Sequence, residues 1–295
     1  MHDDQLTVDE GQVAALMADQ LPETAGEHVQ HLPGSGTVNA IFRVGARLTA
    51  RSPLRADDPA TTRSILEQEA AAADELRPVS PFPVPRPVHV GDPGHGYPMP
   101  WSAQTWIDGR TATPTSCADS AAVAHDLATL IGALREADTR GRRFSGGGRG
   151  GDLTDHEAWM EKCLHKCRDL IDTAALRRLW SSCQELPRED PDLMSHTDLI
   201  PGNLLIEGDR LVGVLDCGGY RAADPALDLV CAWHLLGPEA RLVLRRELAC
   251  SDLQWERGRA WAFEQAMGAY WYYLDTNRPM AEMGRTTLER LLGDA

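Results

Sequence analysis

The hydrophobic patterning of this chain changes once, near Gly109, and that change limits the folds open to it. Before it, short runs with strand-like composition dominate. VNAIFRVGARLTARSP reads as two strands joined by a tight turn at Gly45 and Ala46, and MPWSAQTWIDG as one more strand. ATTRSILEQEAAAADELRP is rich in strong helix formers and stops before Pro78. An opening helix in LTVDEGQVAALMADQLP takes Thr7 as N-cap ahead of Glu10, in a capping box. The proline-studded PVSPFPVPRPVHVGDPGHGYP cannot serve a central strand and predicts an extended connector or a sheet edge. After Gly109 the long segments are helical: DSAAVAHDLATLIGALREAD, DHEAWMEKCLHKCRDLIDTAALRRLWSSCQEL, EARLVLRRELA and QWERGRAWAFEQAMGAYWYYLDT. The expected fold class is therefore α+β. A small antiparallel-sheet lobe with one main helix covers 1–106, and a larger, mostly helical lobe covers 107–295, helical over about 115–185 and 237–295. The cleft of such a bilobal chain is the expected site.

Composition narrows the function classes. The 295 residues carry 44 acidic against 29 basic side chains, a net charge of −15, which argues against nucleic acid as a partner. The same balance is compatible with a cationic small molecule. Seven cysteines without a C-x-x-C pair point to packing thiols in a reduced compartment rather than to disulfides or a zinc site. The N-terminal MHDDQLTVDEGQ lacks an apolar signal region, and no apolar run approaches the ~20 residues a membrane span needs. A cytoplasmic protein, with no membrane partner, is expected. GGGRGG at 146–151 fits the dinucleotide pattern G-x-G-x-x-G but lacks the strand–turn–helix context, so it reads as a loop that could edge a substrate cleft.

The chemistry concentrates in SHTDLIPGNLLIEGDRLVGVLD, Ser195 to Asp216. Its second half is an apolar run, a turn over Glu207–Arg210 and a second apolar run: a β-hairpin that starts at Asn203 and returns Asp216 beside it. An amide and a carboxylate oxygen brought together suit Mg²⁺, a hard cation that also takes phosphate and water oxygens. Asp198, on the preceding loop, would stand next to the metal without binding it, placed to orient and deprotonate an attacking hydroxyl. Any one of these residues alone is more often a turn former. The spacing H-x-D-x-x-x-x-N with a hairpin-returned Asp matches the template of kinase catalytic loops.

With these motifs, HTDLIPGNLL…VLDCGGYRAADPALDLVCAWHLL closely resembles the aminoglycoside phosphotransferase-like family of antibiotic kinases, which share the protein-kinase-like fold. The resemblance implies Asp198 as catalytic base, Asn203 and Asp216 as Mg²⁺ ligands, and His196 as a brace for the loop. It implies that Asp224 caps the following helix and tethers the catalytic loop. Upstream, LPGSGTVNAIFRVG would be the strand–loop–strand over the phosphates, with Ser35 at its turn. Arg51 stands in place of the usual third-strand lysine, a planar fork instead of a point charge, and Glu69 is its helix partner. Backbone groups of Thr105 and Ile107 would face the nucleotide base while Trp106 packs. Cys217 stands where a larger residue often follows the metal Asp, which implies looser packing there.

The implied activity is transfer of the γ-phosphate of ATP or GTP to a hydroxyl of an antibiotic: an aminoglycoside, a macrolide, or a nucleoside or peptide antibiotic. Late-helix acids Glu264 and Asp275, among aromatics, are the substrate candidates; an amphipathic core helix explains the same aromatics. Two alternatives stay open: a metabolic kinase of this fold acting on choline, homoserine or a sugar amine, and a non-catalytic nucleotide-binding regulator. The chain is expected to be a monomer or homodimer.

Overall fold

The computed structural model describes residues 6–32 and 38–294. They form two compact units: one runs to Pro78 and resumes over Pro83–Asp108, the other comprises Val79–Phe82 and the chain from Gly109 onward.

The first unit contains α1 (Glu10–Gln20), β1 (Val29–His31), β2 (Asn39–Val44), β3 (Leu48–Pro53), α2 (Pro59–Leu76), β4 (Pro87–Gly91) and β5 (Trp101–Thr105). Its strands make one antiparallel sheet in the order β1-β2-β3-β5-β4. The β2–β3 turn is made by Gly45 at φ +56°, a conformation that a side chain would strain. β4, from the proline-rich stretch, lies at the sheet edge, where a missing N–H breaks no ladder. The helix cap differs from expectation. Asp9, not Thr7, is the N-cap of α1, and it closes the capping box with Gln12. Both fit the same three-residue spacing, and the shorter-reaching start wins because Leu6 N–H pairs with the Leu54 carbonyl, which keeps the preceding residues extended. Met17, Phe42, Tyr97, Met99 and Trp101 fill the core of this unit. α2 packs on β4 and β5, capped by Asp58 with Pro59 in its first turn.

The second unit contains β6 (Arg110–Thr111), α3 (Ala121–Glu136), α4 (Glu157–Cys167), α5 (Thr173–Cys183), β7 (Leu193–Ser195), β8 (Leu204–Glu207), β9 (Arg210–Val214), β10 (Arg221–Ala223), α6 (Val230–Leu235), α7 (Pro238–Glu247), α8 (Asp252–Tyr272) and α9 (Arg278–Gly293). Two small antiparallel sheets, β10-β7 and β6-β8-β9, lie among the helices. α8 is the axis of the unit. Residues Ala260 to Met267 are buried without interruption, so the helix is enclosed on every side, not amphipathic. α9 crosses it at Gly284, where an added Cβ would lie 2.6 Å from Tyr270 N and 2.7 Å from the Ala266 carbonyl oxygen. Only a glycine allows that approach.

Candidate active site

β8 and β9 form the hairpin, paired from Leu204↔Val214 to Glu207↔Arg210 with a bulge at Leu205–Ile206. Its turn includes Gly208 at φ +59°. At the open end Leu215 N–H donates to the Asn203 carbonyl at 2.8 Å. Asn203 and Asp216 therefore flank the same rung of backbone. Asp216 itself adopts φ 54°, ψ 53°, left-handed geometry that a non-glycine residue adopts at an energetic cost.

The loop before the hairpin is fixed from behind. Buried Asp228 accepts the N–H groups of His196 (2.9 Å) and Thr197 (2.8 Å), one on each carboxylate oxygen. Burial pushes the pKa of Asp228 up, against the pull of His196 and these two donors. His196 is buried and bridges the loop to the hairpin: Nε2 donates to the Leu215 carbonyl at 3.0 Å, so Nδ1 is the acceptor facing Asp198 N–H. Thr197 is held at φ 73°, its hydroxyl donating to the Gly219 carbonyl at 3.1 Å. Strain at Thr197 and Asp216 thus brackets the site.

Asp198 is held by three donors. Asn203 Nδ2 donates to Oδ2 at 2.9 Å and also to the Asp198 backbone carbonyl at 2.9 Å. Gln265 Nε2, from α8, donates to Oδ1 at 2.7 Å, and Arg149 Nη2 to the same oxygen at 3.2 Å. The side chain keeps 30% of its surface exposed, and Oδ2 carries a single donor, so it retains capacity toward solvent.

Arg149 comes from the glycine run, which does more than connect. Gly146, Gly148 and Gly150 have φ of +89°, +90° and +110°, and Gly150 also lies where a Cβ would meet Ala223 Cβ at 2.9 Å. The run is tied down: Gly150 accepts from Asp224 N–H at 2.9 Å and Gly151 from Arg257 at 3.3 Å. Arg149 Nη1 lies 3.9 Å from Glu264 Oε2. Glu264 is 3% exposed, and its other oxygen is 3.0 Å from His156 Nδ1. That contact raises the pKa of His156 against the opposing effect of burial. Glu264 Oε2 has no hydrogen-bond partner among the described residues.

The other candidates fall as follows. Asp224 does not tether the loop. Its Oδ2 receives Arg257 (2.6 and 2.9 Å) and Trp261 (2.9 Å), and its Oδ1 receives Ala226 N–H (3.0 Å); the tether is Asp228, one helical turn on. Arg51 lies on β3 between Ile41 of β2 and Ser102 of β5, and Glu69 in the middle of α2. Thr105 N–H is taken by the Arg86 carbonyl at 2.9 Å, while Arg86 N–H goes to the Thr105 hydroxyl at 2.8 Å. Trp106 packs under Arg43, 4.5 Å from its ring centroid, and its N–H is held by Asp108. Ser35 lies outside the described residues. Asp275 is exposed in the turn after α8. Cys217 is buried, its Sγ 3.6 Å from the Val214 carbonyl. Sequence reading missed Arg149, Gln265, Asp228 and His156; a lone cation inside a glycine run was the one signal available.

The donor set fits a hard cation. Asn203 Nδ2 is committed to Asp198, which turns the amide oxygen elsewhere, and that oxygen with the Asp216 carboxylate gives two hard ligands. Among the described residues no group of three or more His, Cys, Asp or Glu gathers to hold a metal. A Mg²⁺ here would complete its shell with water and phosphate oxygens.

A family model described as APH, phosphotransferase enzyme family, matches residues 30–262. The chain belongs to the APH family of phosphotransferase enzymes. No curated protein matches at a significant level. Solved structures of similar fold span nearly the whole of this APH-family chain. The GDP complex of wild-type aminoglycoside 2'-phosphotransferase-IIIa is 16% identical, with TM-score 0.70, covering 97% of this chain and 99% of that one. Macrolide 2'-phosphotransferase type I is 20% identical, with TM-score 0.63, covering 97% and 98%. The macrolide 2'-phosphotransferase MphH of Brachybacterium faecium is 16% identical, with TM-score 0.60, covering 94% and 97%. These likenesses give the kinase-like α+β fold. No helix of the described residues is long and apolar enough to cross a membrane.

Proposed function

We propose that this phosphotransferase is a cytoplasmic, Mg²⁺-dependent kinase that transfers the γ-phosphate of ATP or GTP to a hydroxyl of an antibiotic. The observation that carries the reading is the Asp198 carboxylate, immobilised on Oδ1 by Gln265 and Arg149 with one lone pair of Oδ2 left toward solvent. Oδ2 accepts the hydroxyl proton as the acceptor oxygen attacks phosphorus in line. Asn203 serves twice: its Nδ2 orients Asp198, and its Oδ1 joins Asp216 as a ligand for Mg²⁺. When bound, the ion neutralises charge on the transferring phosphoryl group. Fixing both groups before substrate arrives removes reorganisation from the chemical step.

Arg51, Glu69, Ser35 and the Thr105 backbone serve the nucleotide from residues 1–106, joined by the Ile107 backbone at the first position of the larger lobe. The remainder, 107–295, carries the transfer machinery and the acceptor site. Two carboxylates, Asp198 and Glu264, share one guanidinium, with His156 against the other oxygen of Glu264, and these acids are the groups here that would favour a cationic acceptor. Asp275 has no comparable support. The drugs of the structurally similar enzymes make the natural first panel: kanamycin, gentamicin and streptomycin, named with aminoglycoside kinase structures, and a macrolide. Incubation of each with MgATP or MgGTP, read by nucleoside diphosphate release, is expected to show turnover that drops at least ~10³-fold in Asp198→Ala. Near wild-type transfer by that variant would remove Asp198 from its role. Turnover of choline, homoserine or a sugar amine, with none of the drugs, would replace the antibiotic by a metabolite.

A further inference from the structure

Behind Asp198 stands a file of three polar side chains from three helices. Gln265 of α8 donates Nε2 to Asp198 Oδ1 at 2.7 Å, its Oε1 lies 3.1 Å from His234 Nε2 of α6, and His234 Nδ1 lies 2.9 Å from Thr287 Oγ1 of α9. His234 and Thr287 are fully buried and Gln265 nearly so. Nothing in the proton transfer itself uses them.

The direction of every bond in the file follows from its first member. A carboxylate only accepts, so Gln265 must present its NH₂ group to Asp198 and its carbonyl oxygen to His234. That oxygen also only accepts, so His234 must carry its proton on Nε2. Burial holds the imidazole neutral, with its pKa pushed down to about 3, which leaves Nδ1 bare. Nδ1 must then receive the Thr287 hydroxyl proton. The competing acceptor for that proton, the Trp233 carbonyl, is 3.5 Å away. Reverse any link and the amide oxygen of Gln265 is turned on the carboxylate.

We propose, on the reading of Asp198 as the proton acceptor, that Gln265, His234 and Thr287 are positioning residues that fix the Asp198 carboxylate with Oδ2 facing the acceptor. Thr287 is the informative member, since it touches neither Asp198 nor any substrate group and Thr→Val keeps its shape. Without the hydroxyl, His234 loses the partner that makes Nδ1 the bare nitrogen, and only the carboxylate itself is left to hold Gln265 in its orientation.

Two measurements test this. In ¹⁵N-histidine-labelled wild-type protein, long-range ¹H–¹⁵N spectra at pH 7 are expected to show His234 as the neutral Nε2–H tautomer, with that preference lost in Thr287→Val. An Nδ1–H or charged His234 in the wild type overturns the proposal and requires no acceptor to observe. With a panel drug that is turned over, Thr287→Val should lower kcat at least ~10-fold with KM for drug and nucleotide within about twofold, and Thr287→Ser should restore it. A fully active Thr287→Val beside an inactive Asp198→Ala overturns the file alone. An active Asp198→Ala overturns the underlying reading instead. If Thr287→Val does not fold, Gln265→Met takes its place in the turnover assay with the same expected loss.

Discussion

Thr197 and Asp216, both left-handed, hold backbone that a side chain does not favour, one on each side of the Asp198 loop and hairpin. The residues of the motif itself were legible because their chemistry is local: Asp198, Asn203 and Asp216 lie within one hairpin and its preceding loop. Asp228 and Asp224 could not be told apart that way. They sit four positions apart in ADPALDL, and only the fold decides that Asp228 takes the loop amides while Asp224 takes Arg257. His234 makes a prediction of the same grain. Its native pKa is depressed to about 3 by burial, while the unfolded imidazole titrates near 6.5. The unfolded state therefore binds the extra proton, and stability is lost as pH falls below about 6.5 and on toward 3. His156 acts in the opposite sense, since its raised pKa adds stability below about 6.5 that is lost as pH rises through its native value. Urea midpoints at pH 7.5 and 5.0 isolate the first effect: the acid-side decrease should be smaller in His234→Gln than in wild type. Equal pH dependence in the two proteins would mean that His234 is not buried neutral.

Helix α8 carries aromatics that the sequence presents as either ligand-binding or core, and it turns out to be enclosed on all sides along its middle. The ambiguity was real. A periodicity of 3.6 reports one buried face, and a helix surrounded by others has no periodicity to report. The Gly284 crossing is invisible for a related reason, since a glycine inside a helix reads as a weakness until the partner helix is known. Gly284→Val should lower the unfolding free energy by roughly 2–4 kcal/mol, because the added atoms meet Tyr270 and Ala266 backbone that cannot rotate away. Equilibrium urea unfolding measures it, and a change below about 0.5 kcal/mol would mean that the helices do not cross so closely. The edge position of β4 and the hairpin were readable from proline and turn chemistry, whereas the β7–β10 pair was not, its strands being short and joined through the whole site.

Across the chain, the thiols sit in packed surroundings. Six of the seven cysteines are buried and Cys250 is partly so, with no disulfide among them. Burial pushes Cys163 and Cys183 to about 12 and Cys167 to about 11, far from the thiolate form. Native protein at pH 8 should therefore give at most about one fast equivalent with Ellman's reagent, and seven after denaturation; several fast equivalents would contradict this packing. Solved structures at 16–20% identity keep the same fold over almost their full length, so its determinants are patterning and burial more than particular side chains.

The placement of Thr287 and Gly284 on α9 bears on how genes of this type are read. A chain interrupted after about residue 277 would retain every letter of HTDLIPGN and its returning aspartate. It would lack the helix that closes α8 and fixes the orientation of the amide behind the carboxylate. On the reading proposed for Asp198, such an open reading frame would look complete by its motif and encode a protein whose carboxylate lacks its support.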